Sequence, residues 1–468
     1  MLTPAHNPDR IWFAEARATL QLGWPLVLTQ IAFTLFSAAN VALAGQLGRT
    51  ELATVGLVAT LYFTVFMFCV GVATAVAPMV AHAAGRKRNM LRDVRRTVRQ
   101  GFWVMTAIGL PGAVILLNGE PILRLFGQEP LLAQKAGAYM QISALGFIPG
   151  LWSVVLRNFL AALSRPRIVL VVAIFAVFYN AGVGWVLSQG RFGLPAWGVN
   201  GIAAASSSTV VLMFLLQLGY CYRDRNLRRF HVGGRFWRAD WPRFREMLWL
   251  GLPIGAIMLL EVGAFSAAAL IMGILGADAL AAHQIALQYA STAFMVPVGL
   301  AQATSVRVAR AAGAGDAHGV SRAGWIGMAM GTGFVILTGL LFWLAPRPLI
   351  GLFIDLADPA NATVVAFATS YLAVAALFQV VDAMQALSAG ALRGLRDTRA
   401  PLIFAALGYW AVGCPLAALL AFRTPLGGTG VWIGLAAGLV AVALPMVGRF
   451  ALRDRYRLGP RLAAAAAG

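Results

Sequence analysis

Leu22-Gly23-Trp24-Pro25 returns 228 residues later as Leu250-Gly251-Leu252-Pro253, and Val80-Ala81-His82-Ala83-Ala84-Gly85 returns at the same offset as Val308-Ala309-Arg310-Ala311-Ala312-Gly313. Between these ends, Leu47-Gly48 pairs with Leu275-Gly276, Leu52-Ala53 with Leu280-Ala281, and Val70-Gly71 with Val298-Gly299. Gap-free agreement over this length marks an internal duplication. A weaker match, Ala162-Leu163-Ser164-Arg165 with Gly394-Leu395-Arg396-Asp397, extends it after a shift of four residues.

The duplicated segment is apolar. Of 468 residues, 60% are hydrophobic and 12% charged, against roughly 25% charged in a soluble domain. Apolar runs of about 20 residues, each long enough to cross a bilayer as a helix, recur along the chain. Their backbone polar groups must be satisfied internally, which excludes isolated strands. Twelve spans are expected, near 18–44, 51–81, 100–119, 136–162, 168–189, 196–221, 246–275, 279–309, 323–346, 363–391, 400–421 and 429–450. The polar start and length of the first run argue for a retained span rather than a cleaved signal.

The net charge is +20, and all but Arg49, Arg124, Lys135, Arg191, Arg347 and Arg423 of the 37 Lys and Arg fall on one side of the spans. Arg86-Lys87-Arg88, Arg165-Pro166-Arg167 and the loop 222–245, with Arg235 among its arginines, carry much of this charge. The positive-inside rule therefore places both termini in the cytoplasm of a bacterial-type inner membrane. The basic residues meet anionic headgroups, not nucleic acid. The expected fold is an all-α polytopic membrane protein with two parallel six-helix repeats around a central cavity. Residues 1–221 form an N-terminal lobe, 222–245 a basic cytoplasmic linker, 246–452 a C-terminal lobe and 453–468 a cytoplasmic tail. Parallel repeats of this kind place the substrate at their interface and suit alternating access.

Few residues inside the spans carry chemistry. Glu261, in Leu259-Leu260-Glu261-Val262, and Asp382, in Val380-Val381-Asp382-Ala383, are acidic residues deep in apolar runs. Such carboxylates are costly and point to function; they suit proton exchange or ligation of a hard cation such as Na+. Gln379, Asp382, Gln385 and Ser388 recur at three-residue spacing on one helix face, and Gln284, Gln288 and Ser291 form a second polar stripe. Either stripe suits an aqueous cavity or contact between helices. Position 33, the repeat partner of Glu261, is phenylalanine, and the polar residues of the first half (Gln30, Ser37, Asn40, Asn158, Asn180) are neutral. Arg157, near the inner end of the fourth span, is the one deep basic residue. His283 is expected to be structural. Asp355 and Asp358 lie on the outer side, where Asp358 before Pro359 fits a helix cap and Asp355 fits attraction of a cation at the cavity mouth. Cys69, Cys221 and Cys414 form no disulfide or zinc pattern. With no P-loop, Rossmann fingerprint or nucleophile elbow, no enzyme activity and no cofactor beyond a coupling ion are expected.

Several longer strings share a resemblance. They are Glu261-Val262-Gly263-Ala264-Phe265, Ala281-Ala282-His283-Gln284-Ile285-Ala286-Leu287, Phe294-Met295-Val296-Pro297, Phe378-Gln379-Val380-Val381-Asp382-Ala383-Met384-Gln385 and Gly390-Ala391-Leu392-Arg393-Gly394-Leu395-Arg396-Asp397-Thr398. They resemble the multidrug and toxic compound extrusion (MATE) family, its NorM-like branch in particular, over nearly the whole chain. The resemblance implies a monomeric antiporter that expels organic, often cationic amphipathic compounds against Na+ or H+, with membrane lipids around it. It places the coupling pair at Glu261 and Asp382, and cavity residues at Asn40, Asn180, Gln284, Gln288, Asp355, Phe378 and Gln385. Asn40 stands where the family usually has aspartate, and Gly184 offers no ligand beyond Asn180. Coupling is therefore expected in the second half. Within the same superfamily a lipid-linked precursor flippase is the alternative; a passive channel and a membrane-embedded enzyme are the readings from other classes.

Overall fold

The computed structural model describes residues 8–86, 89–234 and 236–460. Lys87, Arg88 and Arg235 of the basic loops, and 461–468 of the expected tail, lie outside these residues. The described residues form helices and turns, without strands. The long helices are α1 (Pro8–Leu47), α2 (Arg49–Arg86, interrupted by a turn at Thr74 and Ala75), α3 (Met90–Leu117), α4 (Pro130–Ala162), α5 (Pro166–Gln189) and α6 (Val199–Arg223). They continue with α7 (Trp241–Leu275), α8 (Ala277–Ala314), α9 (Ala317–Leu344), α10 (Ala362–Gly394), α11 (Arg399–Arg423) and α12 (Gly427–Ala451). Each of the twelve expected spans corresponds to one of them.

Eleven of these helices are long and apolar enough to cross a membrane among the described residues. The exception is α8, which carries Asp278, His283, Gln284, Gln288, Arg307 and Arg310 along its length. The chain is a multi-pass, all-α membrane protein.

The duplication is visible in backbone geometry. Gly48 separates α1 from α2 with φ 133°, and Gly276 separates α7 from α8 with φ 128°. Both occupy the same repeat position, and side chains rarely adopt such angles.

Contacts divide the chain into two compact units. The first comprises residues 28–255, and the second comprises 1–27 with 256–468. Both boundaries fall two residues beyond a repeated proline, Pro25 inside α1 and Pro253 inside α7. Proline removes one helical hydrogen bond and bends a helix there.

Within the first unit, the start of α7 packs directly on α2: a Cβ on Gly251 would stand 2.6 Å from Val72 Cγ1 and 2.8 Å from the Val72 carbonyl oxygen. Within the second, the start of α1 packs on α8, where a Cβ on Gly23 would stand 2.8 Å from Leu300 Cδ2. Residues 23 and 251 are repeat partners, and so are 72 and 300, so one contact is made twice. Small residues that admit such approach are the usual means of helix association in lipid.

Ion pairs fasten the same two helix starts. Arg307 Nε and Nη2 donate to the Glu15 carboxylate at 2.8 and 2.5 Å. Asp240, just before α7, accepts from Arg96 Nε and, at 3.0 Å, from Arg96 Nη2. Arg243 Nη2 lies 3.9 Å from Asp93.

Two outcomes test this packing. Gly251→Val forces a side chain against the Val72 backbone, and overpacking of this kind costs about 1–3 kcal/mol; it should lower the thermal midpoint of the purified protein in detergent. The Arg96 guanidinium holds the Asp240 carboxyl below its usual range, so the ionised form is stabilising. Its contribution is complete above pH about 4 and is lost as pH falls through the depressed value. The stability advantage of wild type over Asp240→Asn, followed by thermal melts from neutral to acid, should shrink in that direction.

Candidate functional site

The second unit brings Glu261 of α7 and Asp382 of α10 into electrostatic contact. Asp382 is 5% exposed, and its Oδ1 is buried with no hydrogen-bond partner. Glu261 is half-buried. A carboxylate oxygen left bare in a helix interior is expensive, so this arrangement suits a bound cation or proton.

The middle of α11 completes the surroundings. Ala406–Gly413 is a π-helix, a wide turn that recurs at functional positions. Through it, the Tyr409 hydroxyl comes within electrostatic reach of both Glu261 and Asp382, and it too is buried without a partner. The next residue, Trp410, donates from Nε1 to the Leu260 carbonyl at 3.2 Å. Its ring lies against Gly263, where a Cβ would stand 2.9 Å from Cζ2. Trp410 therefore fixes the α7 backbone on both sides of Glu261. Arg393, near the end of α10, supplies positive charge felt at Glu261.

Gln379 lies one helical turn from Asp382. Thr338 Oγ1 of α9 donates to its Oε1 at 3.1 Å, and its Nε2 is buried without a partner. Gln385 is buried beyond Asp382, its carbonyl accepting from Ser388 Oγ at 3.0 Å. Phe378 packs edge-on against Phe265 and Trp432, with ring centroids at 6.0 and 5.3 Å. His283 is fully buried against the Trp432 ring, and neither of its nitrogens has a partner.

Other expected residues are carried by α8 and by the segment between α9 and α10. Gln284 and Gln288 are exposed on α8, where Gln288 Nε2 donates to Thr292 Oγ1 at 3.4 Å. Asp355 and Asp358 sit between α9 and α10, each accepting a backbone N–H at 2.9 Å, from Ala357 and Ala360. Asp358 is the cap of the short helix Pro359–Asn361.

Asn40 and Asn180 meet in the first unit. Asn180 Nδ2 donates to Asn40 Oδ1 at 2.7 Å, Asn40 Nδ2 to Ser206 Oγ at 3.0 Å, and Ser206 Oγ to Asn180 Oδ1 at 3.2 Å. The ring is closed: each side chain donates once and accepts once. Thr209 Oγ1 adds a 3.5 Å contact to Asn180 Oδ1. At Gly184, the position expected to lack a ligand, a Cβ would stand 2.8 Å from Leu43 Cδ1, so a side chain there would need Leu43 to shift.

Reasoning from sequence missed Tyr409, Trp410, Arg393, Thr338 and Ser206. The run Ser206-Ser207-Ser208-Thr209 inside an apolar helix was a usable signal for the last. No group of three or more His, Cys, Asp or Glu able to hold a metal occurs among the described residues. A cation at Glu261 and Asp382 would use two carboxylates with neutral oxygens such as the Tyr409 hydroxyl.

A duplicated six-helix plan, with buried carboxylates in one unit and a neutral polar ring in the other, defines a polytopic membrane transporter. The MatE family model matches residues 25–186 and 253–419, and the chain belongs to that family, the multidrug and toxic compound extrusion transporters. It is 48% identical over 459 residues to the "Probable multidrug resistance protein NorM" of Mesorhizobium japonicum, covering 98% of each chain. It is 39% identical over 438 residues to the "Multidrug resistance protein NorM" of Burkholderia vietnamiensis, covering 93% of each. Among solved structures, its fold matches a mutant of the Vibrio cholerae MATE transporter VcmN with TM-score 0.83, 17% identity and coverage of 95% of this chain and 98% of that one. The eukaryotic MATE transporter AtDTX14 matches with TM-score 0.81, 21% identity and coverage of 96% and 99%.

Opening the neutral ring tests its weight. Asn180→Ala leaves Asn40 Oδ1 without its donor and the Ser206 hydroxyl without its acceptor, at a cost of about 1–3 kcal/mol. A thermal melt in detergent should show the loss, and Asn180→Asp should not restore the wild-type midpoint, because the carboxylate lacks the amide donor to Asn40.

Proposed function

We propose that this protein is a secondary active multidrug efflux antiporter of the bacterial inner membrane, with both termini in the cytoplasm. It exports organic, cationic amphipathic compounds in exchange for Na+ or H+ by alternating access. Full-length relatives carrying a multidrug resistance name support the substrate class.

The observation that carries the coupling role is the bare, buried Oδ1 of Asp382 beside Glu261. A proton or a monovalent cation satisfies that oxygen and offsets the pair's mutual repulsion. Once loaded, the site no longer holds two charges away from water. Gln379 Nε2 and the Tyr409 hydroxyl, both unpartnered, can orient water or ligands around it.

Exchange follows from differential affinity. The ion must favour one access state and the organic cation the other, because a ligand that binds both equally shifts nothing. The organic cation and the coupling ion both seek the same negative charge, so loading one displaces the other.

Substrate efflux from proteoliposomes under separately imposed Na+ and proton gradients tests the proposal. Glu261→Gln and Asp382→Asn should each reduce gradient-driven efflux to the level of protein-free vesicles while the protein inserts and folds normally. Full transport by both variants would remove these residues from the mechanism.

A further inference from the structure

In the first unit an arginine well inside a span has no ion pair. Arg157 lies on α4, its guanidinium stacked over the Phe33 ring of α1 with Cζ 5.1 Å from the centroid. Its Nε is buried with no hydrogen-bond partner, and no ion pair reaches it among the described residues. The other carboxylates of residues 28–255 are engaged elsewhere: Glu51 with Lys135, Asp93 and Glu246 with Arg243, Glu120 with Arg124, Asp224 with Arg165, and Asp240 with Arg96. The last, Glu129, precedes the first residue of α4, 28 residues and so about 42 Å along the helix from Arg157.

A second orphan donor lies on the neighbouring α6. Ser153, one turn before Arg157 on α4, donates to Gln217 Oε1 of α6 at 3.4 Å. Gln217 is fully buried, and its Nε2 has no partner. Met213, one turn before Gln217, packs in the same cluster as Phe33. Ser153 and the Phe33 cluster thus place Gln217 and Arg157 in one region of the first unit, between α1, α4 and α6. Both lack acceptors, and no acceptor is built in.

The duplication sharpens the asymmetry. Phe33 occupies the repeat position of Glu261. In the second unit Glu261 answers the charge of Arg393; in the first, an aromatic ring stands in its place. The ring steadies the cation by its π-face but neutralises nothing. A charge kept in a helix bundle at such cost marks a site whose partner arrives from outside.

We propose that Arg157 and Gln217 form an oxyanion-binding subsite in the first unit, which takes the carboxylate of an amphipathic substrate or the phosphate of a lipid headgroup. The guanidinium supplies charge and paired donors, as arginine does for planar oxyanions; the amide supplies one more donor. Transport of a molecule held there rests on the proposed efflux function, whereas binding at the subsite does not.

Equilibrium binding to the purified full chain in a neutral maltoside detergent tests it, with tetramethylrhodamine and its methyl ester as probes. The two dyes differ only in the free carboxylate, and polarisation reads both. Arg157→Gln should weaken binding of the acid by about tenfold or more, as expected when a charge-assisted hydrogen bond is lost, and leave the ester unchanged. Arg157→Lys should recover part of the loss, and Gln217→Leu should weaken the acid alone by a smaller factor.

Titration of phosphatidylglycerol into the same samples separates the two sources. A lipid subsite is shown if the phospholipid distinguishes wild type from Arg157→Gln while the two dyes do not. Equal loss of acid and ester, or no discrimination by either dye or lipid, overturns the proposal. Should Arg157→Gln fail to fold, unaltered acid affinity in Gln217→Leu overturns it. Glu261→Gln is a control: retained acid selectivity without gradient-driven efflux separates this subsite from the coupling mechanism, while unimpaired efflux would count against coupling only.

Discussion

Within the hydrocarbon core no water is available to complete a hydrogen bond, and this constraint shapes the whole molecule. It forces the chain into helices, whose backbone groups pair internally. It also makes a bare side-chain polar atom costly enough to need a reason. Most polar side chains inside these helices comply: Thr54, Thr97, Thr106 and Thr304 each donate to the carbonyl one turn back, and Asn40, Asn180 and Ser206 close a ring. Asp382, Gln379 and Tyr409 in one unit and Arg157 and Gln217 in the other are among the exceptions, besides bare nitrogens on Gln100, His283 and Trp432. One group calls for a cation or proton, the other for an anion, so the chemistry of each ligand is written in what the protein leaves unpaired.

Duplication explains why two such different sites share one frame. The repeat conserves backbone geometry: the positive-φ glycines Gly48 and Gly276, the prolines Pro25 and Pro253, and the contacts of Gly23 with Leu300 and Gly251 with Val72. These positions hold helices at set distances and angles. Side chains inside the units differ between the repeats, and Phe33 at the position of Glu261 is the clearest case. The first unit has an aromatic ring and a neutral polar network; the second has the carboxylates.

Much of this was legible in sequence because the bilayer enforces a strong signal. Runs of apolar residues located twelve helices, although α1 and α3 each start ten residues earlier than expected because their first turns are polar, and a fixed offset exposed the repeat. Glu261 and Asp382 stood out because acids in such runs are rare. What escaped notice depends on three-dimensional detail. Tyr409 and Trp410 look like ordinary apolar filling in Ala406-Leu407-Gly408-Tyr409-Trp410, and only the π-helical turn directs them toward α7 and the carboxylates. The passage of α1 and α7 from one unit to the other also left no mark beyond two prolines, because hydropathy is blind to which neighbour a helix chooses.

That exchange of helix starts bears on how the protein is made. Gly23 packs on Leu300, so the opening segment of the chain has its partner 277 residues downstream. At about 5–20 residues per second, the ribosome needs tens of seconds to deliver that partner. Throughout that interval the start of α1 sits in the membrane with its glycine face uncovered and Glu15 without Arg307. Maturation therefore ends with a long-range closure, and a chain cut between α6 and α7 must knit its two fragments together rather than merely set them side by side.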